Sequence, residues 1–287
     1  GCQQTAISSM ARRKLKYPIK HWSYSSLMSF LRNPLAWHKR YVDNVHDMPS
    51  TPAGIIGRAA HVALQHFYSG LGREAAVALG LEHLQNVADF EINFGVHKSR
   101  RAQRARRLEM EKELLQALSF YLARPPRYAV LGVEIVATAE VPGVPLPIKA
   151  ISDLVVVSKV DSQGVDIVDH KFIDSFSQHG VDNPLFIMQA LFNYYTVLGE
   201  FKRPVHRFIL QECKKRKNKD GSSQMRRTVL EYASLSEEFQ LFKRLLNDAS
   251  QEISRERLYL PNPSDMFEGK NSFDIYRLGL LESGIDD

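Results

Sequence analysis

Cysteine is nearly missing from this chain: Cys2 and Cys213 are the only two in 287 residues. Two thiols exclude a disulfide framework, and they exclude a four-thiolate zinc or iron–sulfur site built from this chain alone. A reducing compartment suits such a sequence. Also lacking is any run near the roughly 20 consecutive apolar residues that span a bilayer. The opening GCQQTAISSMARRKLKYPIK has no apolar stretch of signal-peptide length. The expectation is an intracellular protein, cytoplasmic or nucleoid-associated, with no membrane partner. There is no internal repeat and no low-complexity tract. Neither sign of charge dominates: 38 Lys+Arg against 32 Asp+Glu leave a net +6, which suits a polyanionic partner without requiring one. What is present is 44% hydrophobic content, enough for a substantial core at this length.

Hydrophobic periodicity divides the chain. Residues 1–20 are polar and then basic, and read as a flexible tail, either solvated or laid on nucleic acid. Serines ahead of Leu27, Phe30 and Leu31 open a helix, and Pro34 starts a second. A glycine-led helix start in AGIIGRAAHVALQHFYSG follows, and then a long helical pattern from Arg73 to Arg124 broken near Asn93–Gly95. Pro125 and Pro126 end it. Three strands come next (YAVLGVEIVATAEV, IKAISDLVVVS and VDIVDHKFI), read as a meander. PLFIMQALFNYYTVLGE is helical, RPVHRFILQECK and RRTVLEYASL form a hairpin around KRKNKDGSSQ, and a last helix runs roughly from Ser236 to Arg257. The expected organisation is one domain over 21–260, with a helical lobe at 21–125 and a sheet core at 126–260. An extension at 261–287 would pack on that core.

The informative anomaly lies in VDIVDHKF. Side chains alternate along a strand, so Ile167, Asp169 and Lys171 share one face. A carboxylate and an ammonium on an otherwise apolar strand are costly to bury unless they pair or hold a metal. Asp153 heads the preceding strand, and a tight turn over Asp161–Gly164 makes the two strands antiparallel neighbours, which brings Asp153 within reach of Asp169. Two carboxylates beside a lysine are what metal-assisted phosphodiester hydrolysis requires. Hard oxygens suit Mg²⁺ or Mn²⁺, and a cation offsets the charge building on the phosphorane. The bland alternative is a structural Asp–Lys pair, since the D-x-K triplet by itself is common.

In company, the residues are more specific. S-Y-S-S-L, N-P-L-A-W and R-Y come first, then G-R-A-A-H-V-A-L (Gly57–Leu64), Asp153, D-H-K (Asp169–Lys171), and Gln189 with a following tyrosine. In this order the chain resembles the PD-(D/E)xK nuclease superfamily, and in particular its RecB-like exonuclease branch. The resemblance covers roughly Ser23 to Tyr195. It implies a restriction-endonuclease-like α/β core, a central mixed β-sheet flanked by helices, with an N-terminal helical lobe. It implies that His61, Asp153, Asp169 and the backbone carbonyl of His170 ligate Mg²⁺ or Mn²⁺, and that Lys171 positions or activates the attacking water. Gln189 would orient Lys171 or the substrate phosphate, and Tyr194 or Tyr195 would lie near the scissile strand. Glu134 corresponds loosely to an upstream strand glutamate and is a candidate for a second metal. The activity implied is DNA hydrolysis, exonucleolytic and favouring single-stranded ends, in repair, recombination or mobile-element processing. A helicase or recombination protein is the implied partner. Endonuclease action, or a non-catalytic nucleic-acid-binding subunit that keeps the fold, are the alternatives.

Departures from the family pattern are equally definite. Ala150 stands where the G-x-x-D motif has glycine, and four residues after Gln189 comes Asn193, with Tyr194 one place late. Members with an iron–sulfur cluster carry a cysteine before the early proline and three more near the C-terminus. Here Asn33 takes the first place and the others are missing, so no iron–sulfur cluster is expected. Arg100, Arg104 and Arg107 share one side at helical spacing; they form a solvated face or line a DNA channel.

Overall fold

The computed structural model describes residues 16–46, 49–177 and 184–263. The proposed tail falls mainly outside these residues, as does all but the first part of the C-terminal extension. Of residues 16–20, Tyr17 and Ile19 lie against the core.

Each early helix starts on a residue that caps it. In α1 (Tyr24–Arg32) Ser23 Oγ accepts from the Ser26 amide, and in α2 (Pro34–Trp37) Asn33 Oδ1 accepts from Ala36. A single π-helical turn, His38–Val42, follows. Helix α3 (Pro52–Tyr68) begins earlier than its glycines suggest: Thr51 caps it and Pro52 occupies its first turn. Helix α4 (Arg73–Gln85) lies close against α3. Gly80 makes this possible, because a Cβ there would stand 2.8 Å from both the Ala59 carbonyl and the Ala63 methyl. Helix α5 (Arg100–Ala123) is capped by Ser99. Helices α6 (Pro184–Phe201) and α7 (Ser236–Ser254) complete the set.

The sheet is mixed and has six strands among the described residues: β1 (Trp22–Ser23), β2 (Val130–Ala139), β3 (Ile148–Val157), β4 (Val165–Ile173), β5 (Val205–Lys214) and β6 (Met225–Glu231). β2, β3 and β4 form the antiparallel meander. α6 then crosses over to make β5 parallel to β4, and β6 returns as the hairpin. The strand β1 has no separate sequence signal, being two residues long.

Alternation sorts the core. Val155, Ile167 and Phe208 face α1, α6 and α7, whereas Leu154, Val156, Val168 and Ile209 face the other way. A further cluster joins α3, α4 and α5, where Tyr121 and Met110 are fully buried. At 25 cal/mol per Å² such residues are the main source of stability. The start of the C-terminal segment closes over α1 and α2: Leu35 N–H donates to the Leu260 carbonyl, and the Tyr259 ring lies 5.6 Å from Trp37.

Candidate active site

The site grows from a gap in the ladder. On one edge of β3, β1 pairs with Ile148 and Lys149, and β4 pairs from Leu154 to Val157. Residues 150–153 between them have no strand partner on that edge. Continuing the register that sets Leu154 against Val168 brings Asp153 opposite Asp169, and there β3 and β4 part. The amide freed on β4 is not left bare, because His170 N–H donates to Asp153 Oδ2 at 2.8 Å.

Asp169 is 4% exposed. Its Oδ1 accepts from Gln189 Nε2 at 3.0 Å; its Oδ2 lies 3.2 Å from Lys171 Nζ but is buried without a directed hydrogen bond. Burial pushes the Asp169 carboxyl above its ordinary value, and the negative Asp153 opposite adds to the rise, while Lys171 opposes it. Lys171 is held above its ordinary value chiefly by the charge of Asp169, so it remains an ammonium. Gln189, on α6, thus bonds the carboxylate and not the lysine.

His61 comes from the third turn of α3. Its Nδ1 donates to the Gly57 carbonyl at 2.6 Å, and its Nε2 stands 3.2 Å from Asp153 Oδ2. A carbonyl can only accept, so the proton sits on Nδ1 and Nε2 is the atom aimed at the carboxylates. Burial presses the imidazole downward, yet the Asp153 charge and hydrogen bond, the Gly57 carbonyl and Asp169 together raise it to about 9. Burial likewise presses Asp153 upward, and His61 with the His170 amide brings it down to about 2. The side chain of His170 points to the other face, stacked on Tyr68 with ring centroids 5.8 Å apart, and burial holds it at about 4.

A cavity of about 250 Å³ opens here, lined by His61, Asp153, His170, Glu134, Arg58 and His83 among others. Glu134 falls opposite Asp153 in the β2–β3 register, since Val133 pairs with Leu154 and Ile135 with Ser152. Its φ of +49° is left-handed, a strained conformation for a side-chain-bearing residue in a strand. Arg58, one turn before His61, and His83, on α4, carry no motif signal; they reach the cavity through the α3–α4 contact. Tyr24 is a further neighbour that periodicity files with the core. It follows β1 directly, and its hydroxyl feels both Lys171 and Asp169.

The other expected residues lie elsewhere. Tyr194 and Tyr195 pack in the seam between α6 and α7, with centroids 4.8 Å and 5.8 Å from Phe239. Arg107 caps the end of α4, donating to the carbonyls of Leu84, Gln85 and Val87 and to Asp89. Its guanidinium is therefore already committed to the fold. Arg100 and Arg104 are exposed near the start of α5.

The donors fit a hard divalent cation. Two carboxylates facing one another repel unless a cation lies between them, and one oxygen of Asp169 is buried without a hydrogen bond. Among the described residues no three His, Cys, Asp or Glu side chains form a ready-made cage. No helix of the described residues is long and apolar enough to cross a membrane.

The chain matches the family model of the PD-(D/E)XK nuclease superfamily over residues 21–266. No curated protein matches it in sequence. Among solved structures it is similar to a protein of Eubacterium rectale named "Putative exonuclease", at 11% identity and a TM-score of 0.46, over 94% of this chain and 100% of that one. It is similar also to SSO0001, at 14% identity and a TM-score of 0.31, over 88% and 93% of the two chains. With protein VC1899 of Vibrio cholerae the identity is 10% and the TM-score 0.21, over 82% and 57%. All three are too remote to bear on activity.

Proposed function

The chain belongs to the PD-(D/E)XK nuclease superfamily, and we propose that it is a divalent-metal-dependent deoxyribonuclease of the RecB-like branch, an exonuclease favouring single-stranded ends. The observation that supports this most is the facing of Asp153 and Asp169 where β3 and β4 part, with Lys171 Nζ 3.2 Å from Asp169. Asp153, Asp169 and the His170 carbonyl would present oxygens to Mg²⁺ or Mn²⁺, and His61 its Nε2. When bound, the ion supplies Lewis-acid polarisation of the scissile phosphate and acidifies water.

The rest falls to side chains. Lys171, held as a cation, is suited to orienting the attacking water and to offsetting charge on the phosphorane, and unsuited to taking a proton. Gln189 fixes the Asp169 carboxylate by its 3.0 Å hydrogen bond. The Tyr24 hydroxyl, which feels both Lys171 and Asp169, would donate to a phosphate oxygen held by Lys171. Glu134 is the reserve ligand for a second ion. The single-strand preference and the RecB-like assignment rest on the order of the motifs from Ser23 to Tyr195.

End-labelled single-stranded and duplex DNA, incubated with Mg²⁺ or Mn²⁺, tests this reading. The wild type should shorten single strands from one end and spare circular substrates, and Lys171→Ala and Asp169→Ala should each lose cleavage. Equal cleavage by the variants, or none by the wild type, would refute it.

A further inference from the structure

The cavity beside Asp153 has a wall that metal binding leaves unused. Positions 58, 61, 62 and 65 of α3 recur at helical spacing and form one stripe, so Arg58 and Gln65 flank His61 along this wall. Helix α4 adds His83. The His61 ring is committed to the Gly57 carbonyl and to Asp153. The other three side chains are uncommitted: among the described residues Arg58, Gln65 and His83 have no side-chain hydrogen bond or ion pair. The guanidinium stays unpaired although two carboxylates, Asp153 and Glu134, line the same cavity. Asp169, Lys171 and Gln189 do not line it. The cavity therefore extends from Asp153 away from the lysine.

What these three heads have in common is N–H groups to donate. A guanidinium is always charged and presents a planar fork that fits two phosphate oxygens at once, and a carboxamide and an imidazole add single donors. Glu134 repels an anion, so an anion belongs on the α3 wall, at Arg58. We propose that Arg58, with Gln65 and His83, binds a second phosphate of the substrate strand, the neighbour of the one held at Lys171. This rests on the nuclease function proposed above and extends it to substrate grip. Arg58 is a binding residue in this scheme, since it lies outside the group of Asp169 and Lys171. The same chemistry is offered by a terminal phosphate monoester and by a backbone diester.

The test is calorimetric binding of a short oligodeoxythymidylate in EDTA, where cleavage plays no part. Arg58→Ala should weaken binding about tenfold, and Gln65→Ala and His83→Ala about threefold each. Arg58→Lys keeps the charge but loses the fork, and should recover only part of the affinity. Arg73→Ala removes another exposed arginine, outside the cavity. At physiological salt it should bind nearly as the wild type does, because distant surface charges are screened. Arg58 is exposed and unpaired, so Arg58→Ala should keep the wild-type Tm. Strands with a hydroxyl or a phosphate at either end separate the two sources. If an end phosphate strengthens binding to the wild type but not to Arg58→Ala, the subsite holds a terminal monoester. If the ends make no difference and Arg58→Ala weakens every strand equally, it holds a backbone diester. No binding by the wild type, or a loss in Arg58→Ala no larger than in Arg73→Ala, would overturn the subsite. The nuclease reading fails on a different result, a wild type that binds but cuts nothing with Mg²⁺ or Mn²⁺.

Discussion

His61 Nε2 lies 3.2 Å from Asp153 Oδ2, and the pair is each partner's largest favourable interaction. In the absence of metal this makes stability depend on pH in a definite way. The His61 value is raised from 6.5 to about 9, so its contribution is complete below 6.5 and is lost as pH rises through about 9. The Asp153 value is lowered from 3.8 to about 2, so its contribution is complete above 3.8 and is lost as pH falls through about 2. Thermal unfolding in EDTA should therefore give the wild type a lower Tm above about pH 9 than near pH 6. His61→Ala should flatten that difference; an unchanged pH profile in the variant would show that the pair contributes nothing.

The same proton should compete with metal. Nε2 cannot ligate while protonated, so Mn²⁺ affinity should climb with pH until about 9, by up to tenfold per unit. Calorimetry in buffers of different ionisation enthalpy should register about one proton released per ion near pH 7.5. His61→Ala should bind more weakly and release none. Proton release undiminished in the variant would place the titrating group elsewhere.

Asp169 sits in the fold at a cost. Its carboxyl is buried, opposite another carboxylate, and pushed toward protonation. Asp169→Asn keeps an acceptor for Gln189 Nε2 and removes the like-charge repulsion. In EDTA its Tm should equal or exceed that of the wild type, while cleavage should fall at least about a hundredfold. A variant that is both active and less stable would make Asp169 a structural residue.

Much of this geometry is legible in the sequence because it follows from short-range rules. A period of two puts Asp169 and Lys171 on one face, and the short turn over Asp161–Gly164 sets the register that brings Asp153 opposite. Tyr24 is not legible, since its place depends on a parallel pairing of only two residues, Trp22 and Ser23, with a strand far along the chain. Arg58 and His83 escape notice for a related reason: they line one cavity because α4 settles on α3, where Gly80 leaves room. Tyr194 and Tyr195 show the converse. Their helix register is readable, but what lies across from it, Phe239 and Phe242 on α7, is not.

Arg107 and its neighbours Arg100 and Arg104 make the sharpest case, because one helical face carries two different jobs. Arg107 is 20% exposed and donates to three carbonyls at the end of α4 as well as to Asp89. The Leu84 carbonyl also accepts from the Val87 amide, so Arg107 matters most for the carbonyls of Gln85 and Val87. Arg107→Ala should cost about 1–3 kcal/mol of stability, read by urea unfolding, and leave the salt dependence of single-strand binding unchanged. Arg100→Ala and Arg104→Ala, at exposed positions, should leave stability within about 0.5 kcal/mol. If they face the substrate, each should lower the slope of log K against log salt by about 0.7–0.9. Should Arg107→Ala instead lower that slope with no loss of stability, its guanidinium must leave the α4 carbonyls for a phosphate when nucleic acid binds.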